Sequence, residues 1–185
     1  AAVPTIADSA VTPTETVILT GLTHVRVSEG VRDPITATAL ALESGDDDRA
    51  VMVSCDLLTI SDEIRDGVRE HLRRELPELP PEAVFVSATH THTAPYHYAH
   101  PRYTDADPDP TPYGVELPVL TGAVYVEFAA RRVADAVIAA WRNRAPGGIA
   151  YGLGHAVIGR NRLTAYRDGS GRMYGPTNQA SFSHV

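Results

Sequence analysis

The chain has 185 residues, of which 43% are hydrophobic and 21% charged, with 14 glycines and 14 prolines. This composition is typical of one folded globular domain and excludes a disordered or fibrous protein. The formal net charge of −7 disfavours a protein that binds nucleic acid or an anionic membrane surface through its overall charge.

The first predicted elements are β-strands. Residues 16–20 are rich in β-forming side chains and stop at Gly21, which predicts a short strand. Two further strands, over 35–43 and 50–55, flank a polar turn cluster, so we expect them to form a β-hairpin. The second strand of this hairpin ends at Asp56.

A helix is predicted to follow this hairpin. Ser61 is a good N-cap residue, and the acidic residues after it suit the positive end of the helix dipole. Apolar residues recur on one face of this helix at Ile64, Val68 and Leu72. A short apolar run over 83–88 then predicts a buried strand. This strand–helix–strand order is typical of a crossover between two parallel strands.

The pattern changes over residues 95–118, a loop with six prolines and four tyrosines. Loops of this length are usually functional or disordered. A second helix is predicted over roughly 122–143, followed by a strand over 149–158. The polar, glycine-rich remainder, 159–185, is expected to be irregular and to contain no strand or helix that closes the core. The sequence therefore predicts an α/β fold with a mixed β-sheet and packed helices.

Two histidines stand where the strand over 83–88 gives way to the loop. In an extended chain, residues two apart point to the same side, so His90 and His92 are expected to project together. They would continue the face of Val84, Val86 and Ala88. Two neighbouring imidazoles, framed by threonine hydroxyls that can hold their far nitrogens, are a common beginning of a zinc site. The pair alone is a weak motif, because surface strands also carry such pairs by chance.

Other polar residues have both a structural and a functional interpretation. His97 and His100 lie in the loop and are expected to be solvated or to belong to a lid. Arg162 is either a solvated turn residue or an anchor for a carbonyl, carboxylate or hydroxyl, because arginine offers a planar fork of donors. Asp56 either supports a metal ligand or precedes the helix as a cap. The single cysteine, Cys55, is expected to be a buried core residue and excludes any metal site built from several cysteines.

Several segments occur in an order that is familiar as a set. They are 8–13, 28–34, 53–57, Ser87-Ala88-Thr89-His90-Thr91-His92 and Asn161-Arg162. With these segments the chain resembles the amino-terminal part of the neutral/alkaline, non-lysosomal ceramidase family. The resemblance covers most of the 185 residues, and the ordered set is more specific than any one motif.

The resemblance implies a zinc-dependent amidase that hydrolyses the N-acyl bond of ceramide, a sphingolipid. It implies that His90 is a zinc ligand, that His92 lines the site beside the metal and that Arg162 lies close to the substrate. Residues 93–95 read Thr-Ala-Pro where the family usually has Ser-Gly-Pro. This departure keeps two alternatives open. One is the same metal centre acting on a non-ceramide acyl amide or a lactone, and the other is a non-catalytic binding module with a degraded site.

The resemblance also implies what this chain lacks. The family's remaining zinc ligands, a later His, a Glu and a Tyr, have no counterparts here. We therefore expect residues 1–185 to be the amino-terminal portion of one ceramidase-like catalytic domain, with a downstream polypeptide completing the site. The expected partner is a small-molecule or lipid acyl-amide substrate, with no nucleic acid and no transmembrane segment. The resemblance favours a secreted or periplasmic protein.

Overall fold

A computed structural model describes residues 2–3, 5–22, 26–45, 48–98, 118–156, 158–159 and 161–184. The chain divides into two compact units, residues 1–149 and 150–185. Most of the predicted proline- and tyrosine-rich loop, namely 99–117, lies outside the described residues.

The first unit is built on β-strands, some paired with their neighbours in the chain and others with distant segments. They are β1 (Ala2–Val3), β2 (Thr5–Ala10), β3 (Ile18–Leu19), β4 (Arg26–Val27), β5 (Thr36–Ser44), β6 (Asp48–Cys55), β7 (Val84–Ala88) and β8 (Ala145–Pro146). The main sheet has the order β2–β5–β6–β7, antiparallel except for the parallel pair β6–β7. Two small antiparallel ladders join β1 to β8 and β3 to β4. The predicted hairpin and the mixed sheet are thus confirmed.

Two long helices complete this unit, as predicted. Helix α1 (Asp62–Glu75) begins at Ser61, whose hydroxyl accepts a 3.3 Å hydrogen bond from the Ile64 amide. With a short 3₁₀ turn at Pro81–Ala83, α1 forms the crossover between the parallel strands β6 and β7. Helix α2 (Gly122–Arg142) packs against β2, β5, β6 and α1.

Small side chains allow the helices to lie close to the sheet and to each other. The buried face of β5 consists of alanines, Ala37, Ala39 and Ala41. A Cβ atom added at Gly67 of α1 would lie 2.9 Å from the Cβ of Ala130 in α2, so only glycine permits this crossing. Interiors packed at such density do not accommodate added methyl groups without strain.

The opposite face of the sheet carries exposed apolar side chains. Met52 of β6 is paired in register with Phe85 of β7, and the two residues are 48% and 61% exposed. The buried core of this unit therefore lies between the sheet and the two helices.

The second unit differs from its prediction. It contains an antiparallel sheet in the order β10–β9–β11, formed by β9 (Leu163–Tyr166), β10 (Gly171–Met173) and β11 (Phe182–His184). The expectation of an irregular remainder was therefore wrong. Gly169, at φ +82°, supplies the left-handed residue that the turn between β9 and β10 needs. Short strands joined by such turns carry little periodic signal.

The predicted strand over 149–158 was also wrong for the residues that the structure describes there, since 149–156 and 158 carry no strand. Alternating apolar residues suit a strand, but a strand forms only when a neighbour supplies its hydrogen bonds. Within the described ranges, no helix is both long and apolar enough to cross a bilayer.

Candidate functional site

The site lies at the edge of the main sheet where the parallel strands β6 and β7 both end. The chain segments that follow the two strands continue side by side, because the Thr89 amide donates to the Cys55 carbonyl at 2.9 Å. The His90 amide likewise donates to the Leu57 carbonyl at 3.0 Å. In open α/β sheets, the carboxyl ends of parallel strands are a common place for ligand sites.

The two histidines of the predicted pair lie together and are both exposed. Their ring centroids are 5.2 Å apart, with the rings nearly perpendicular at 79°. The predicted reason for this proximity was wrong, however. His90 has a φ of +64°, so the chain turns there and the two residues do not continue the alternation of β7.

A backbone carbonyl selects the tautomer of the neutral His90 ring. Nδ1 of His90 lies 2.8 Å from the carbonyl oxygen of Leu58, which can only accept a hydrogen bond. Nδ1 therefore carries the proton, and Nε2 presents its lone pair at an exposed position. Metal-binding histidines are typically held in this way. Threonine hydroxyls were predicted for this role, but Thr91 and Thr93 bond to each other at 3.1 Å.

His92 is supported by a loop from an early part of the chain. A Cβ atom added at Gly21 would lie 2.6 Å from Cγ of His92, so the glycine backbone is in direct contact with the ring. Nη2 of Arg26 donates to the carbonyl of His92 and, at 2.9 Å, to the carbonyl of Thr20. The Thr20 amide in turn donates to the carbonyl of Ala94 at 3.0 Å. The sequence pattern marked Gly21 only as the end of a strand and gave no role to Arg26.

Asp56 connects three chain segments at the same sheet edge. Its Oδ2 accepts from the amide and the hydroxyl of Thr36, at 3.0 and 3.1 Å. Its Oδ1 accepts from the hydroxyl of Thr89 at 3.4 Å, next to His90. The interpretation of Asp56 as a helix cap was wrong, because Ser61 caps α1.

His97 is buried, which corrects the expectation that it is a solvated or lid residue. Its Nδ1 lies 3.1 Å from the carbonyl of Pro95, and its Nε2 lies 3.2 Å from the hydroxyl of Thr59. Both ring nitrogens therefore have protein partners, and His97 has no lone pair to offer a metal. His100 lies outside the described residues.

Arg162 lies in the second unit, just before β9. Its Nη1 donates to the Tyr174 hydroxyl at 3.0 Å, and the side chain is exposed. The adjacent Asn161 accepts from the Leu163 amide at 3.0 Å, which orders the turn. The guanidinium group keeps further donors directed to solvent, so it is chemically able to bind a carbonyl or carboxylate oxygen.

The donor atoms of these residues determine which of them can hold zinc. His90 fits a zinc ligand, since in the tautomer that the Leu58 carbonyl selects its Nε2 carries a lone pair and the residue is exposed. Cys55 does not, because burial raises the pKa of its thiol to about 12. In the part of the chain that the structure describes, no three His, Cys, Asp or Glu residues form a group that could hold a metal. His90 is therefore chemically suited to supply one ligand, and a complete zinc site would need other donors.

The fold defines a class, an α/β domain with a mixed sheet and two packed helices. More particularly, the fold is neutral ceramidase-like. The chain is similar to the crystal structure of neutral ceramidase from Pseudomonas aeruginosa, and the match covers 78% of the chain with a TM-score of 0.64 and 21% sequence identity. It is also similar to a ceramidase solved in complex with C2, and this match covers 90% of the chain with a TM-score of 0.67 and 20% sequence identity.

These matches cover a limited part of the larger proteins. The chain spans 22% of the Pseudomonas aeruginosa structure and 24% of the other. No protein-family model matches the sequence, and no curated protein sequence does.

Proposed function

We propose that this chain belongs to a zinc-dependent amidohydrolase that cleaves an N-acyl amide bond, as the resemblance to neutral ceramidase implies. The observation that carries the proposal is the state of the His90 ring. The Leu58 carbonyl holds the proton on Nδ1 at 2.8 Å and so leaves Nε2 free for a metal, beside the second histidine of the pair. The ceramidase-like fold supports the same assignment.

Each of the three candidate residues has a distinct proposed role. His90 holds zinc through Nε2. His92, exposed beside it, forms a hydrogen bond with the substrate or the attacking water. Arg162 binds the substrate carbonyl through its planar guanidinium and stabilises negative charge that develops on the oxygen. Zinc, when bound, polarises the acyl carbonyl and lowers the pKa of a water molecule.

The metal site is proposed to be completed by residues outside this chain. A catalytic zinc ion normally has about three protein ligands and one open position. At this sheet edge the described residues offer His90 as the proposed ligand with His92 beside it, while His97 is engaged by Pro95 and Thr59. A downstream polypeptide is the proposed source of the remaining ligands, since the chain spans less than a quarter of either ceramidase structure.

A second candidate function is hydrolysis of a non-ceramide acyl amide or a lactone at the same metal centre. It is favoured by the segment after His92, where Thr93-Ala94-Pro95 departs from the family signature. Ala94, Pro95 and His97 of this segment are buried, so the departure changes the packing immediately beside the site.

The proposed function is tested by measuring zinc content and hydrolysis together. Residues 1–185 are compared with a longer polypeptide that continues beyond Val185, using elemental analysis and a panel of ceramides, short N-acyl amides and lactones. We expect weak zinc binding and no turnover for residues 1–185, and about one zinc ion per longer chain with turnover that a chelator abolishes.

The substrate panel separates the candidates. Cleavage of ceramide supports the first function, whereas cleavage only of other acyl compounds supports the second. A longer polypeptide without zinc or turnover would instead indicate a non-catalytic binding module. Stoichiometric zinc and amidase turnover in residues 1–185 alone would contradict the proposed need for outside ligands.

A further inference from the structure

The segment that holds the His90 ring is itself held from its other side. Residues 57 and 58 present two carbonyls to His90, which bonds to them through its amide at 3.0 Å and its Nδ1 at 2.8 Å. The next residue, Thr59, directs its hydroxyl towards His97 and Tyr98, at 3.2 and 2.6 Å. The loop after β6 is therefore fixed between the residues that follow β7 and the residues that enter the proline-rich segment.

The direction of each hydrogen bond in this cluster follows from one carbonyl group. The Pro95 carbonyl can only accept, so His97 Nδ1 must be the donor in their 3.1 Å contact. In a neutral ring Nε2 is then an acceptor, and the Thr59 hydroxyl donates to it. The Tyr98 hydroxyl donates to Thr59 in turn. This direction of donation requires a neutral His97 ring, because a protonated Nε2 would instead donate to the Thr59 hydroxyl.

The surroundings of His97 maintain that neutral state. The ring is fully buried and stacks on the ring of Tyr98 with a centroid distance of 4.7 Å. Burial away from water lowers the pKa of His97 below its ordinary value of 6.5, although the hydrogen bonds to Pro95 and Thr59 and the nearby Glu63 carboxylate oppose this shift. A buried polar ring is costly unless both nitrogens are bonded, and here both are.

Peptide geometry transmits this restraint to the candidate metal ligand. The Leu58 carbonyl and the Thr59 amide belong to one planar peptide unit. Anchoring the Thr59 side chain restrains its Cα and therefore the plane in which the Leu58 carbonyl lies. That carbonyl is the acceptor for His90 Nδ1 at 2.8 Å.

We propose that His97 is a positioning residue for His90: through Thr59 it orients the Leu58 carbonyl that selects the tautomer of the His90 ring. The relevance of this to catalysis rests on the proposed function, in which His90 binds zinc through Nε2. Without this restraint, the carbonyl turns and the ring distributes its proton between both nitrogens, which leaves Nε2 available for only part of the time.

Three variants and one control test the proposal. Each substitution is made in the protein together with any downstream polypeptide that zinc binding requires. Thr59→Val removes the donor at nearly constant shape, and Thr59→Ser restores it. His97→Asn keeps a donor near the Pro95 carbonyl but loses the acceptor for Thr59. Glu43→Gln is the control, because it removes an ion pair with Arg144 at the opposite end of the main sheet.

Two measurements are made on each protein. Nitrogen-15 NMR of the metal-free form reports the tautomer of His90, whose signals are assigned by their loss in His90→Gln. Competition with a chromophoric chelator gives the zinc dissociation constant. We expect the wild type, Thr59→Ser and Glu43→Gln to keep the proton on Nδ1. Thr59→Val and His97→Asn should show mixed tautomers and zinc binding weakened by about tenfold or more.

The two readouts separate this proposal from the proposed function. If the wild type binds no zinc, the metal assignment fails, while the tautomer still decides whether His97 positions the ring. An unchanged His90 tautomer in folded Thr59→Val would overturn the positioning role, whatever the zinc affinity. A change of tautomer in Glu43→Gln equal to that in Thr59→Val would also overturn it, since general destabilisation would then be the cause.

Discussion

The backbone of Gly21 lies directly against the ring of His92, and a Cβ atom added at Gly21 would stand 2.6 Å from Cγ of that ring. Gly21 also has a φ of +96°, a conformation that other residues adopt only with strain. The adjacent carbonyl of Thr20 and the carbonyl of His92 share the guanidinium of Arg26 as donor. The position of His92 thus depends on a turn near the beginning of the chain.

Gly21→Ala is expected to displace His92 and to reduce turnover of an acyl-amide substrate strongly. Part of the effect is strain in the left-handed conformation, which costs about 1–2 kcal/mol for an L-residue. Gly45→Ala is the matched control, because Gly45 has a φ of +64° and, among the described residues, no atom lies within 4 Å of an added Cβ. Thermal unfolding should show destabilisation of both variants, with turnover lost only in Gly21→Ala. Equal loss of turnover in both would mean that strain alone is responsible.

His90→Ala and His92→Ala are expected to differ in metal content. His90 is the proposed ligand, with a zinc–nitrogen distance of about 2.0–2.1 Å when metal is bound. Its removal should therefore eliminate zinc and activity together. His92→Ala should retain zinc while turnover falls, since this residue is proposed to contact the substrate. Elemental analysis and X-ray absorption check both results, and wild-type zinc content in His90→Ala would refute the assignment.

Arg162→Lys tests whether the guanidinium acts on the substrate. Lysine keeps the positive charge but loses the planar fork of donors, so kcat/KM should fall while the fold survives. Arg172→Lys, in the exposed strand β10, is the control for the same substitution. Unchanged turnover combined with a lower melting temperature in Arg162→Lys would show that Arg162 stabilises the turn through its 3.0 Å bond to Tyr174.

The burial of His97 predicts a loss of stability in mild acid. Its folded-state pKa is below its ordinary value of 6.5, so below that pH the unfolded chain takes up a proton that the folded protein does not. The free energy of unfolding should therefore decrease as pH falls from about 6.5 towards the folded-state pKa. One such proton contributes a slope of up to about 1.4 kcal/mol per pH unit.

Denaturant titrations of the wild type and His97→Asn between pH 7 and pH 5 measure this slope. The variant should be less stable at neutral pH but should lack the His97 contribution to the pH dependence. Equal slopes in the two proteins would show that other groups cause the acid sensitivity.

Local patterns in the sequence predicted the hairpin, the crossover and the two helices of the first unit, but not strands β1, β2, β4 and β8. The alternating residues of the hairpin, the N-cap Ser61 and the apolar stripe at Ile64, Val68 and Leu72 predicted β5, β6 and α1, and the structure confirms them. These signals are reliable because the periods of strands and helices are properties of the backbone itself. The paired histidines and the ordered segments likewise pointed to the ceramidase-like fold.

Only the tertiary structure decided how the candidate site is built. The tautomer of His90 depends on the Leu58 carbonyl. The position of His92 depends on Gly21, and His97 is held in its buried position by Thr59 and Tyr98. These partners come from separate segments, and no periodic pattern links them. The strand predicted over 149–158 illustrates the same limit, because alternation describes one segment whereas strand formation requires a paired neighbour. Contacts between distant parts of the chain arise from packing, which a local pattern does not encode.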